Sequence, residues 1–257
     1  METIKDVFEQ QIDKVSALYI DYQNNPFSVK LVHDLRVAIR ELRGLLNFIK
    51  KRLDEAYYDQ LNQQLAEAGR VFRPLRELDV LYAYCEQYAI HHPKNSNHYY
   101  DLFNTFMKDR RLEMNRTFNK GNIDTVQQAI ESAKRVIEFD LFDQKKDWKK
   151  YALKRFKRKD KKLRHAYQYV NTLDYQAVHE LRKSAKKLRY AATYFNETLP
   201  KDLNKYIKDT KAIQTEFGEI TDAHVNYELL NVYAEKIDDE HVHNLLRQIR
   251  DSIDLSK

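Results

Sequence analysis

The sequence predicts an all-α protein of two pseudo-symmetric four-helix sub-bundles forming one compact helical domain. Two observations predict it. Only four glycines and four prolines punctuate 257 residues, of which 33% are charged, leaving material for long helices and little for turns. One amphipathic stretch is also written twice: Val32–Phe48 reads VHDLRVAIRELRGLLNF and Val178–Tyr194 reads VHELRKSAKKLRYAATY. A second matched pair, FRPLRELDV from Phe72 and FGEITDAHV from Phe217, follows each copy at nearly the same distance. An internal duplication of about 145 residues accounts for both pairs.

Taken in order, residues 2–22 form an amphipathic helix with Val7, Phe8, Ile12, Val15, Leu18 and Tyr19 on its buried side. Asn25-Pro26 reads as a helix start, with Asn as the cap. The first basic helix runs from there to about Arg52. A third helix covers 55–90 and is bent or interrupted at Arg73-Pro74. His91–His98 is a polar loop, and helices over 97–119 and 123–139 flank a break at Lys120-Gly121-Asn122. The second half opens with a basic helix over 143–170, connects through Asn171–Gln176, and repeats the ladder helix to about Thr198. A long helix over 201–235 carries the Phe217 segment, and a last one takes 239–253. No Gly/Ser/Pro linker separates the halves, which divide as 1–140 and 141–257.

The repeated helices carry the chemistry. His33, Arg36, Arg40 and Arg43 stand at offsets 0, 3, 7 and 10, and His179, Arg182, Lys186 and Arg189 repeat them. Those intervals hold side chains to one stripe of a helix, beside an apolar stripe of Leu35, Ile39, Leu42 and Leu46 or Leu181, Ala185, Leu188 and Ala192. A row of cations can meet a chain of phosphates repeatedly: arginine as a planar fork, lysine as a point charge. A solvated or carboxylate-paired face is the ordinary fate of one such row. A solvated face has no reason to keep its spacing in two halves. The two histidines read either as phosphate donors that strengthen as pH falls or as half-buried anchors of the helix starts. Glu77 and Asp222 read as carboxylates that hold a ladder arginine in place.

The two His-x-x-Arg-x-x-x-(Arg/Lys)-x-x-Arg helices, each followed by Phe-x-x-x-x-acid-x-x-Val, resemble the CHAD domain (conserved histidine α-helical domain) over nearly the whole chain. The resemblance implies two four-helix sub-bundles about a pseudo-twofold axis, with a basic channel between them that binds inorganic polyphosphate. It also implies that the basic helix over 143–170 helps line the channel. That favours Lys154, Arg155, Arg158 and Lys162 as contacts, together with Arg76, Lys183 and Lys50 beside the ladders. This chain departs from the family pattern in having Arg73 where Gly is usual and Glu77 where Asp is usual; the second copy keeps Gly218 and Asp222.

Composition bounds the alternatives. Net charge is +6, with twelve Lys or Arg against two Asp between Lys145 and His165, a field that recruits polyanions. Trp148, Tyr151 and Phe156 interleave there; they read better as the core-facing side of the helix than as a platform for bases. The single cysteine, Cys85, and an N-terminus without an apolar core lead to the expectation of a cytoplasmic, soluble protein with no membrane partner. No Gly-rich phosphate loop, Cys-x-x-Cys pair or nucleophile elbow is present. Helical geometry weighs against His33-Asp34 as a metal site, since adjacent residues point about 100° apart. The expected function is therefore non-catalytic binding of inorganic polyphosphate, with no cofactor and no metal. Polyphosphate granules or a phosphate-metabolising enzyme are the expected associates. RNA binding by the same surface is the main alternative, and a metal-dependent phosphohydrolase a lesser one.

Overall fold

In the computed structural model, residues 3–93, 96–138, 147–199 and 202–255 are described. Among these the chain forms eleven α-helices and one 3₁₀ turn, with no strand. The first half gives α1 (Ile4–Asn24), α2 (Val29–Ile49), a 3₁₀ turn (Lys50–Arg52), α3 (Glu55–Val71), α4 (Arg73–His91), α5 (Ser96–Thr117) and α6 (Lys120–Glu138). The second gives α7 (Trp148–Gln168), α8 (Tyr175–Phe195), α9 (Asn204–Glu216), α10 (Gly218–Ala234) and α11 (Glu240–Asp251).

Side-chain caps set most helix starts. Thr3 and Asp6 form a reciprocal capping box on α1, and Ser28, Asp54, Asp147, Asp174 and Asp239 cap α2, α3, α7, α8 and α11. The cap of α2 is thus Ser28, three residues beyond the expected Asn25, which instead closes α1 through its own N–H to the Asp21 carbonyl. The break before α6 falls at Phe118-Asn119, where Asn119 Oδ1 accepts from the Asn122 N–H at 2.8 Å. Gly121 therefore lies inside the first turn of α6. His91, expected in a loop, is the last residue of α4. The start expected at 143 and the division near 141 lie outside the described residues.

Both copies of the Phe segment break the chain in the same way. Phe72 ends α3 and begins α4 at φ −93°, ψ 2°; Phe217 ends α9 and begins α10 at φ −96°, ψ 8°. The expected single helix over 201–235 is accordingly two helices. Pro74 cannot be the common cause, because the second copy has Glu219 there. The shared feature is the phenylalanine itself, 1% and 2% exposed, swung into the core at the corner.

Two hydrophobic cores result. The larger joins α1, α2, α3, α6, α7, α8 and α9, with Leu35, Ile39, Leu45, Phe48, Phe72, Phe156, Phe195 and Phe217 at its centre. The smaller is a four-helix arrangement of α4, α5, α10 and α11, closed by Leu81, Cys85, Leu102, Phe106, Leu230, Leu246 and Ile249. Each core takes helices from both sequence halves. In the larger one α2 packs directly on α8, which brings the two ladder helices side by side. A polar clasp ties them: Tyr194 on α8 donates to Glu41 on α2 at 2.5 Å, and Lys14 on α1 reaches the same carboxylate at 3.0 Å.

Candidate anion-binding groove

The apolar stripes of α2 and α8 fix which side chains face each other. With Leu35, Ile39, Leu42 and Leu181, Ala185, Leu188 turned into the core, the cation stripes flank the line of contact. Arg40 and Arg43 from α2 meet His179, Arg182, Lys183 and Lys186 from α8 around a groove of about 500 Å³. Lys187, Asn47, Tyr58, Asn62, Gly44 and Tyr190 complete its lining. Six cations line this space and no carboxylate does.

A second cleft of about 280 Å³ lies on the other flank of α2, between it and α3. Arg36, Arg40 and Arg43 line it together with Arg70 and Arg73. Arg40 and Arg43 therefore border both spaces. His33 and Arg76 sit beside Arg36 at the α4 end of this run, close enough that Arg76 depresses the His33 ring. Lys50 closes the far end, its ammonium 5.6 Å from the Tyr58 ring centre.

The basic helix α7 divides its cations between two sides. Arg155 turns toward α2, donating to the Asn47 carbonyl at 2.9 Å and lying 5.8 Å from the Phe48 ring centre. Lys159, one turn on, shares that side with Lys187 and Lys50. Lys154, Arg158 and Lys162 face outward with Lys157, Lys161 and His165 around a separate shallow basin. Phe156 is buried and Trp148 packs against the core, so these two rings are structural, while Tyr167 near the C-terminal end of α7 is exposed. Arg189 lies against its neighbour Tyr190, 5.5 Å from the ring centre.

The electrostatics are those of crowded cations. Burial and then Arg182 and Arg40 lower Lys186 to about 8; burial and then Arg155, Lys187 and Lys50 do the same to Lys159. Burial and then Arg40 bring Arg36 down to about 10. Partial desolvation, then Arg76 for His33 and Lys183 for His179, hold both rings below the ordinary histidine value and so neutral near pH 7. Nine buried side-chain nitrogens and oxygens among the described residues have no hydrogen-bond partner. Five belong here: Nε of Arg36, Arg155, Arg182 and Arg189, and Nδ1 of His179. A buried donor is worth roughly 1–3 kcal/mol more when it meets an acceptor, so these atoms are placed to gain from an anion.

The two carboxylates of the repeated segment behave differently. Asp222 pairs with ladder Arg182 at 3.3 Å, as expected. Glu77 pairs instead with Arg73 at 2.6 Å, and Arg36 turns to the Gly69 carbonyl. Arg73 stands where the second copy has Gly218, and that one difference takes the carboxylate from the ladder.

Arg70, Arg73, Lys159 and Lys187 are the cations that the spacing of the ladders did not single out. Lys187 adjoins Lys186 in sequence, and Lys159 follows Arg155 by one turn, so helical stepping from named residues would have reached both. No group of three or more His, Cys, Asp or Glu among the described residues is arranged to hold a metal. No helix among them is long and apolar enough to cross a membrane.

Two comparisons with known proteins find matches to the chain as a whole. The family model of the CHAD domain matches residues 20–231. Among solved structures, the crystal structure of the CHAD domain from the plant Ricinus communis matches with a TM-score of 0.75 at 17% identity, over 98% of this chain and 87% of that one. A search of curated proteins finds no match.

Proposed function

Because this chain belongs to the CHAD-domain family, we propose that it is a non-catalytic module that holds inorganic polyphosphate in the groove between α2 and α8. One observation carries the reading: six cations from two helices converge on a single groove that no carboxylate lines. That lining is crowded with like charge: burial first, and then Arg182 and Arg40, lower Lys186. A linear polyanion relieves the repulsion, gives the arginine forks planar oxygens to meet, and releases its own counterions, so affinity falls steeply with salt. The groove presents cations rather than a nucleophile, a metal cluster or a general base set on a reacting atom, which supports binding over turnover. The two tyrosines that line the groove, Tyr58 and Tyr190, are each only 8% exposed, which favours a bare phosphate chain over RNA, because base stacking needs exposed rings. The associates expected of such a module are polyphosphate granules or an enzyme of phosphate metabolism in a reducing compartment.

The test is charge reversal across the groove. Arg40→Glu with Lys186→Glu should abolish polyphosphate binding in calorimetric titration at about 0.15 M salt, with helicity by circular dichroism unchanged. Retained affinity in that double variant refutes the site. Tighter binding of single-stranded RNA of equal charge, or release of orthophosphate in the same cell, would replace the reading with one of its rivals.

A further inference from the structure

The outward basin on α7 lies apart from the groove, although the family resemblance places Lys154, Arg158 and Lys162 in one channel with the ladders. Its volume is about 760 Å³, and Lys154, Lys157, Arg158, Lys161, Lys162 and His165 line it. Among the described residues none of these is in an ion pair, and the nearby Asp160 is taken by Arg164 at 2.9 Å. Like charges three and four residues apart destabilise a helix, so a purely solvated face would gain by interspersing acids. At 1.5 Å per residue the row from Lys154 to His165 is about 16 Å long, against about 15 Å for the α2 ladder from His33 to Arg43.

The basin also connects to the groove. Residues advance about 100° around a helix. Lys162 therefore stands at the edge of the outward row, on the side where Arg155 and Lys159 turn in. Lys159 feels Arg155, Lys187 and Lys50 on the groove side and Lys162 on the basin side. Arg155 gives the contact between the two, donating at 2.9 Å to the carbonyl of Asn47, which lines the groove, so that Arg155, Lys159 and Lys162 lead from the groove's edge to the outer face of α7.

We propose that the basin is the outer stretch of one continuous polyphosphate track, entered through the groove and crossing α7 at Lys159 and Lys162, so that the protein selects long chains over short ones. The proposal rests on the groove reading above. A short chain fills the groove and ends there. A long chain, once held in the groove, presents its next units to the basin at high effective concentration, and its affinity rises without any change in the groove contacts.

Lys157→Glu with Lys161→Glu tests it, since both side chains are exposed and neither lines the groove. Tripolyphosphate and long-chain polyphosphate are titrated against this variant, the wild type and the Arg40→Glu/Lys186→Glu variant, with circular dichroism of each. The expected result is unchanged tripolyphosphate affinity in the α7 variant, long-chain affinity reduced about tenfold or more, and a salt-dependence slope smaller by about 1.4 or more. Long-chain affinity and slope equal to wild type overturn the track and leave the groove standing. An equal loss for both chain lengths also overturns it, because the α7 row would then act on the groove itself. Wild-type protein that binds neither chain overturns the groove reading, and the track with it.

Discussion

Lys186 shows how much the site depends on proximity at the scale of single residues. Its ammonium is lowered from 10.5 to about 8 by burial and by Arg182 and Arg40, and Lys159 matches it through different neighbours. Between pH 8 and 10.5 the unfolded chain binds more protons at these positions than the folded one, so the free protein gains stability as pH rises through that window. Below pH 8 both lysines are charged and their mutual repulsion with the arginines is fully present. A bound polyanion would offset the cationic neighbours and so raise both lysines toward the ordinary value. Binding at about pH 8.5 should therefore take up protons, and affinity should fall as pH rises further. Calorimetry in two buffers of different ionisation heat measures that uptake. Lys186→Arg, which does not deprotonate in this range, should remove part of it; zero uptake in the wild type contradicts the lysine environment described. Lys186 was legible in the sequence because it repeats Arg40 at the same offset. Lys159 was not singled out, although it follows Arg155 by one turn, because the docking of α7 decides which of its many cations turn inward.

At the scale of elements, the corners at Phe72 and Phe217 set where the ladders meet their carboxylates. Each phenylalanine anchors a helix end in the core and sends the next helix off at a new angle, which in the second copy places Asp222 beside the ladder's Arg182. Phe217→Ala should cost about 3–5 kcal/mol in denaturant unfolding. Pro74→Ala, at an exposed position, should stay within about 0.5–1 kcal/mol. A proline substitution as costly as the phenylalanine one would return the break to proline. The first corner was legible from Arg73-Pro74 for a reason that turns out to be incidental. The second was missed because Gly218 alone is a weak breaker, although alignment with the first copy carried the information.

At the scale of the whole molecule, duplication in sequence is not partition in space. Repeats, helix periods and the ladders are local patterns, and they were readable. That α4 and α5 pair with α10 and α11 is a long-range choice that depends on the apolar faces left over when the ladder helices dock, and no local spacing records it. Residues 1–140 alone would leave Leu78, Leu81, Leu102 and Phe106 uncovered. That fragment should bind a hydrophobic dye and self-associate, while the full chain unfolds in one cooperative transition. A monomeric, dye-free fragment with its own sharp unfolding would show that the first half stands alone.

The shared smaller core also sets a schedule for the newborn chain. Its first two helices are complete at Thr117, but the last one is complete only at Asp251. At ribosomal speeds of about 5–20 residues per second, α4 and α5 wait roughly 7–27 s for their partners. During that wait a greasy helical pair hangs from a nascent chain, which makes this stretch a natural client of whatever chaperone waits at the exit tunnel.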